Sequence, residues 1–169
     1  MIRLRIYYKK TNKSELEAAV FLSEDQDYLR KLLREEKLIA FVANGSILPR
    51  KSGVSDLPLD DSIPFTSPSS MERTFTLPHY GEITGMAVPQ GITLIVGGGY
   101  HGKSTLLLAL QNGVYNHIAG DGREYVITED TAVKLRAEDG RSIRNVDISL
   151  FINALPNKKD TSSFSTPDA

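Results

Sequence analysis

Residues 97–105 read Gly97-Gly98-Gly99-Tyr100-His101-Gly102-Lys103-Ser104-Thr105 and satisfy the pattern G-x-x-x-x-G-K-[ST] in full. Those residue types at that spacing predict a phosphate-wrapping P-loop. Glycines let the backbone close on an anion, successive N–H groups point at its oxygens, and the start of the following helix adds a favourable dipole. Lys103 is placed to reach β- and γ-phosphate oxygens, the Ser104 hydroxyl to ligate Mg²⁺ bridging them, and Thr105 to make a further phosphate contact. The rival explanation is a glycine-rich turn that merely packs a helix on a sheet.

The remaining chemistry-bearing residues are less pointed. His101 lies inside the loop, so its N–H is expected to face phosphate while its side chain faces solvent or packs. His79 and His117 are too dispersed to argue for a metal site. Tyr80, upstream of the loop, either stacks on a base or, more simply, is a surface or core tyrosine. Phosphoryl transfer also needs an acidic residue at the end of a second buried strand. Tyr125-Val126-Ile127-Thr128-Glu129-Asp130 mimics such a strand but begins only 20 residues after Thr105. Glu129 and Asp130 are therefore expected to end a strand or cap a turn near the surface, and no catalytic residue is assigned.

A P-loop must be held between a strand and a helix. The β-branched run from Ile92 to Val96 predicts a strand buried on both faces, and Ser104 to Asn112 a helix of good helix formers stopped by Gly113. Upstream, the period-two pattern of Ile2, Leu4, Ile6 and Tyr8 predicts a half-buried strand. Ser14 with Glu17 and Ser23 with Gln26 predict two helical starts, the second striped by Tyr28, Leu29, Leu32 and Leu33, with Arg30, Lys31, Arg34, Glu35, Glu36 and Lys37 on a solvated face. Leu38 to Ala43, Asn44-Gly45 and Ser46 to Leu48 predict a hairpin. Pro49 to Ser70, with Pro58, Pro64 and Pro68 among serines, predicts an extended connector and a boundary. Phe75 and Leu77, then Ile83, Met86 and Val88, mark further strands. Asp139-Gly140 reads as a hairpin turn between Val133–Glu138 and Arg141–Ile148, and Thr161 to Ala169 as a frayed or truncated tail. The expected organisation is thus an N-terminal segment over 1–48, a connector over 49–70, a P-loop segment over 71–160 and the tail over 161–169.

Composition restricts the function classes. The chain has 169 residues, 20 Lys and Arg against 21 Asp and Glu for a net charge of −1, 40% hydrophobic residues and no Cys. That length and balance predict a globular domain with a real core. Without cysteine there is no disulfide framework, thiolate zinc site, iron–sulfur cluster or cysteine nucleophile, and a cytoplasmic location is expected. No apolar run approaches the ~20 residues of a membrane span. Near-zero charge gives no general attraction to nucleic acid, although Arg3, Arg5, Lys9, Lys10 and Lys13 make the start locally basic, as edge strands often are.

With the loop placed, longer words stand out: FVANGSILPRKSGVSD, GEITGMAVPQGITLIVGGGYHGKSTLL, GVYNHIAGDGREYVIT, AVKLRAEDGRSI and VDISLFINALPNKKDT. Over roughly Glu24 to Asp168 the chain closely resembles the predicted ATPases of the ABC class, a family distinct from the transporter cassettes. The resemblance implies an α/β fold, a partial ABC-type P-loop NTPase fold with β-hairpins and an incomplete sheet. It also implies ATP and Mg²⁺ as cofactors, with Gly97, Gly102, Lys103, Ser104 and Thr105 as the Walker A element. In that family a longer N-terminal domain precedes this region, and a Ser/Gly-rich signature, an acidic Walker B strand and a C-terminal region follow it. The chain reads as the middle of a larger protein, with Pro167 where an acidic residue is expected. The full-length parent is expected to be an ATPase and a homodimer, because ABC-type sites are completed by a partner's signature; the chain alone is expected to bind ATP without hydrolysing it. The rivals are an ATP-regulated nucleic-acid-associated module using the basic start, and a non-hydrolysing remnant.

Overall fold

In the computed structural model, which describes residues 12–97, 101–135, 144–150 and 161–165, one helix occupies the place of the two predicted starts. Helix α1 runs from Lys13 to Glu35 and is capped by Asn12, whose side chain accepts from the Ser14 N–H at 3.2 Å. Between those ends there is no Gly or Pro and Val20 is the one β-branched residue, so nothing interrupts the helix at Ser23. Leu29 and Leu33 are fully buried. Arg30, expected on a solvated face, is buried as well, at 7% exposure.

Among the described residues, strand β1 (Leu38–Ala43) is central in a four-stranded sheet. Its neighbours β3 (Gly81–Pro89) and β4 (Val126–Thr128) both run antiparallel to it, and β2 (Glu72–Leu77) pairs with β3 in a hairpin. The Asn44-Gly45 turn forms as predicted, with Gly45 at φ 86°. Ser46 to Leu48 does not return along β1, however, because both edges of β1 are already taken. Instead the Gly45 N–H donates to the Phe65 carbonyl and the Phe65 N–H to the Ser46 carbonyl, each at 2.8 Å, and the Ile47 N–H donates to the Gly122 carbonyl at 2.7 Å.

Successive side chains of β1 point to opposite faces, and each face has its own core. Phe41 and Ala43 join Leu29 and Leu33 of α1, with Leu77, Ile83 and Ile127. Ala40 and Val42 join Leu48, Met86, Val88, Val126 and Ala109, the last from helix α2 (Lys103–Asn112). The sheet is thus covered by a helix on each side, an α/β arrangement. Residues 49–70 lie in the same compact unit as all of these elements, Met1 to Val133, where Arg50 pairs with Pro58 and a short 3₁₀ turn spans Ser69–Met71.

The run Ile92–Val96 departs from expectation. It is not a strand, and Ile92 and Leu94 are 99% and 80% exposed. A parallel central strand exists only where neighbours satisfy its backbone on both sides; among the described residues, no strand pairs with this run.

Lys134 to Ala169 form a second compact unit. Within it Val146 and Phe164 exchange backbone hydrogen bonds of 3.0 and 2.9 Å, and the Ile148 N–H reaches the Thr161 carbonyl at 2.8 Å. Thr161 is buried, so 161–165 are held by pairing where a frayed tail was expected. The predicted opening strand Ile2–Tyr8, the basic residues Arg3 to Lys10 and the turn at Asp139-Gly140 lie outside the described residues.

Candidate nucleotide site

Gly102 is left-handed, φ 80° and ψ 1°, and forms the N-cap of α2 with no side-chain cap. The first N–H of the helix to bond backward is that of Leu106, to the Gly102 carbonyl at 2.9 Å. The N–H groups of Ser104 and Thr105 thus precede the helical ladder and, with the dipole, present positive potential at the helix start. Ser104 is exposed, and Lys103 and Thr105 are half-buried. The Lys103 stem runs beside Gly97, where an added Cβ would lie 3.7 Å from Lys103 Cδ. Gly98, Gly99 and Tyr100 lie outside the described residues.

His101, Gly102, Lys103, Thr105 and Leu106 line one side of an open cavity of about 380 Å³. Leu48, Pro49, Ile63 and Phe65 form another side, and Ile95 and Val96 complete the lining. Of the predicted site residues, the structure therefore gathers His101, Gly102, Lys103 and Thr105 around one space.

The strain at Gly102 makes a prediction. An added Cβ would meet no atom within 4 Å, so the obstacle is the left-handed backbone and not crowding by neighbours. For a β-branched residue that conformation costs about 1–2 kcal/mol, about tenfold in the population of the loop geometry. Gly102→Val is expected to weaken binding of a phosphate ligand at this loop about tenfold by calorimetry, with a near-native circular dichroism spectrum. Unchanged affinity would remove the loop from the site.

The far end of α2 is fixed by Thr128 and by Arg30, which the sequence predicts on a solvated face. Arg30 donates from Nη2 to the Gly113 carbonyl and from Nε to the Thr128 carbonyl, both at 3.3 Å, and from Nη1 to Asn116 Oδ1 at 2.8 Å. Thr128 Oγ1 donates to the Leu110 carbonyl at 2.7 Å. Gln26, expected to close a capping box, is instead mid-helix and buried, donating to the His117 and Glu124 carbonyls at 2.9 and 2.8 Å. Asp25 accepts the His79 and Tyr80 N–H groups at 2.9 and 2.8 Å. A signal was present: Asp25, Gln26 and Arg30 share the helical stripe of Leu29 and Leu33, so polar residues with long-range partners occupy a core-facing line.

Tyr80 does not approach the loop cavity. It is 59% exposed, its ring lies 4.9 Å from that of Tyr125, and it lines a different recess. Burial, helped by Asp25, pushes the Tyr125 hydroxyl up to about 12. His79 stacks on Phe21 with ring centroids 4.2 Å apart. Glu129 follows β4 and accepts the Thr131 hydroxyl at 2.6 Å and N–H at 2.9 Å. These bonds, with Arg34 at 3.3 Å, hold its carboxyl at about 2. Neither Glu129 nor Asp130 lines the cavity.

Behind the Leu48–Pro49 side lies a charged cluster. Arg50 Nη2 is 2.6 Å from Asp121 Oδ1, and Asp121 Oδ2 is 2.5 Å from His117 Nδ1. Arg123, 1% exposed, donates from Nε to the Leu48 carbonyl at 3.0 Å. Burial lowers the His117 pKa despite Asp121, and its Nε2 is buried without a hydrogen-bond partner. Unfolded, His117 titrates near its ordinary 6.5, so below that value the unfolded chain binds the extra proton. Stability is complete above 6.5 and is lost as pH falls from there toward the folded value. A second loss follows between 4.5 and about 2, where Glu129 titrates. Thermal melts are expected to show Tm declining below about pH 6.5, with the first limb removed in His117→Asn; a Tm equal at about pH 7 and 5 would count against the buried neutral imidazole.

The comparisons agree with this geometry. A family model described as ABC_ATPase, P-loop domain, matches residues 12–169. The chain is also 35% identical over 144 residues to an uncharacterized protein, MJ1628, of Methanocaldococcus jannaschii, a match covering 78% of this chain and 31% of the relative. It spans less than a third of that relative's length. Among the described residues no helix is long and apolar enough to cross a membrane.

Proposed function

The chain belongs to the ABC_ATPase family of P-loop domains, and we propose that it binds Mg-ATP through the loop from Gly97 to Thr105. The observation that carries this reading is the start of α2: a left-handed Gly102 with no side-chain cap, opening on a cavity shared by Lys103 and Thr105. The residues fit the ligand. The Ser104 and Thr105 N–H groups and the Lys103 ammonium supply donors to phosphate oxygens, and the exposed Ser104 hydroxyl is the ligand for Mg²⁺, which would neutralise charge on the β- and γ-phosphates.

We assign hydrolysis to the longer protein, as a dimer. Among the described residues no Asp or Glu lines the cavity, and acceleration of phosphoryl transfer depends on a group that positions the attacking water in line. Calorimetric titration of the chain with ATP is the test. Saturable one-site binding that weakens when Mg²⁺ is chelated, and that loses this Mg²⁺ dependence in Ser104→Ala, is the expected result; no heat at millimolar ATP would end the proposal. Phosphate release at saturating ATP should not exceed that of a Lys103→Ala control. Turnover of about 1 s⁻¹ that vanished in a Glu129→Gln/Asp130→Asn double variant would make the chain a self-sufficient ATPase.

A further inference from the structure

A second recess, of about 540 Å³, lies beside helix α1, the Asn44-Gly45 turn and the segment that leads into β4, and none of the described loop residues lines it. Its volume is that of a small-molecule site. Tyr80 and Tyr125 meet in its lining with ring centroids 4.9 Å apart and planes at 59°. Leu22 and Ile83 supply apolar surface there, and Glu124 supplies a carboxylate. Among the described residues, no Lys, Arg or His lines the recess. We propose that it binds a primary alkylammonium group, with the charge against Glu124 and the tyrosine rings and the alkyl chain against Leu22 and Ile83.

The polar groups of the recess match a donor that carries positive charge. Glu124 Oε1 accepts the Gly120 N–H at 2.7 Å, which fixes the carboxylate and leaves Oε2 without a partner among the described residues. Ser46 is 8% exposed, and neither its hydroxyl nor that of Tyr125 has a hydrogen-bond partner among the described residues. Hydroxyls in such a lining take their partners from whatever enters. An ammonium offers three N–H donors and no acceptor, and a carboxylate oxygen and two hydroxyl oxygens all accept. The faces of the rings carry the negative end of the aromatic quadrupole and attract a cation within about 6 Å of the ring centre.

The surroundings reinforce the sign. Asp25 is 2% exposed, and its carboxylate accepts the Tyr80 N–H at 2.8 Å. After burial, it is the largest influence raising the Tyr125 hydroxyl. That hydroxyl therefore stays neutral, and an anionic ligand would meet the same opposition. Arg123, next to Glu124 in the chain, donates instead to the carbonyl of Leu48, which belongs to the core on the other face of the sheet.

The test titrates the isotope-labelled 169-residue chain with n-butylammonium, n-butanol and n-butyrate and follows its amide signals by NMR. A capped tripeptide with a central lysine is a further arm. Butylammonium should saturate with a Kd of about 1 mM and move the amides of Ser46, Glu124 and Tyr125, while butanol and butyrate bind at least about tenfold more weakly. Glu124→Gln, which keeps an acceptor for Gly120 and removes the charge, should weaken butylammonium about tenfold. Tyr80→Leu, which keeps apolar surface and removes the ring, should weaken it about threefold. Tyr80 is 59% exposed, so its replacement leaves the fold intact and keeps the test informative if Glu124→Gln is unstable. Tighter binding of the tripeptide than of butylammonium would assign the recess to a lysine side chain, and the reverse to a free amine; either supports the site. Butanol bound as tightly as butylammonium, or butyrate bound more tightly, would overturn it. So would the absence of saturable shifts with both ammonium probes, or unchanged affinity in Tyr80→Leu and any folded Glu124→Gln.

Discussion

Lys103→Ala is expected to weaken Mg-ATP binding by about two to three orders of magnitude while leaving the fold intact. A hydrogen bond to a charged group contributes about 1.5–3 kcal/mol, and an ammonium reaching two phosphate oxygens makes two of them, each charge-assisted on both sides. Because the two bonds share one charge and are not fully additive, the loss is about 3–4 kcal/mol, a hundredfold to about a thousandfold in affinity. Little in the core depends on this side chain. It is half-buried at the start of α2, and the one buried residue of that helix is Ala109, on the turn beyond it. Calorimetry measures the affinity, and circular dichroism with a thermal melt supplies the control. Near-parental affinity with an unchanged melt would mean that phosphate is held elsewhere. A lost melt would mean that Lys103 is a folding residue, and the affinity would then have to be read from Gly102→Val.

Arg30→Ala acts at the opposite end of the same helix and through stability. Its guanidinium bridges the Gly113 carbonyl beyond the C-terminus of α2, the Thr128 carbonyl at the end of β4 and the Asn116 side chain. A cation beside a helix C-terminus is favoured by the dipole, and removing it at 7% exposure leaves the carbonyls of Gly113 and Thr128, both buried residues, where water reaches poorly. Removing a buried charged donor from such neutral acceptors costs about 1.5–3 kcal/mol, a fall in Tm of roughly 3–12 °C for a chain of this size. Arg30→Lys should recover only part, because an ammonium lacks the planar fork that serves several acceptors at fixed angles. A Tm within about 2 °C of the wild type in Arg30→Ala would show that α2 is held by its apolar face alone.

The two substitutions mark a division between what was legible along the chain and what was not. The loop and α2 depend on neighbours in sequence. A glycine that tolerates φ 80°, good helix formers after it and Gly113 at the C-cap are local properties, and they produce Lys103–Asn112 within one residue of expectation. The Asn44-Gly45 turn is local too and forms. The apolar run before that turn places a strand at Leu38–Ala43, and apolar alternation places strands at Glu72–Leu77 and Gly81–Pro89.

Strand partners and buried polar contacts were decided only in three dimensions. Asn44-Gly45 turned the chain, but β3 and β4 already held both edges of β1, so Ser46 paired with Phe65 and drew the proline-rich segment alongside the loop. Ile92–Val96 has a buried strand's composition and is exposed, because apolar content does not supply the two pairing edges a central strand requires. Arg30 reads as one charge among many on a helix, and its acceptors lie 83 to 98 residues away. Backbone conformation is set by each residue and its near neighbours, so the sequence alone determined the left-handed Gly102 and the helix it caps. Hydrogen-bond pairing and burial depend on which distant surfaces meet, so only the tertiary structure decided what holds that helix and what wall it faces.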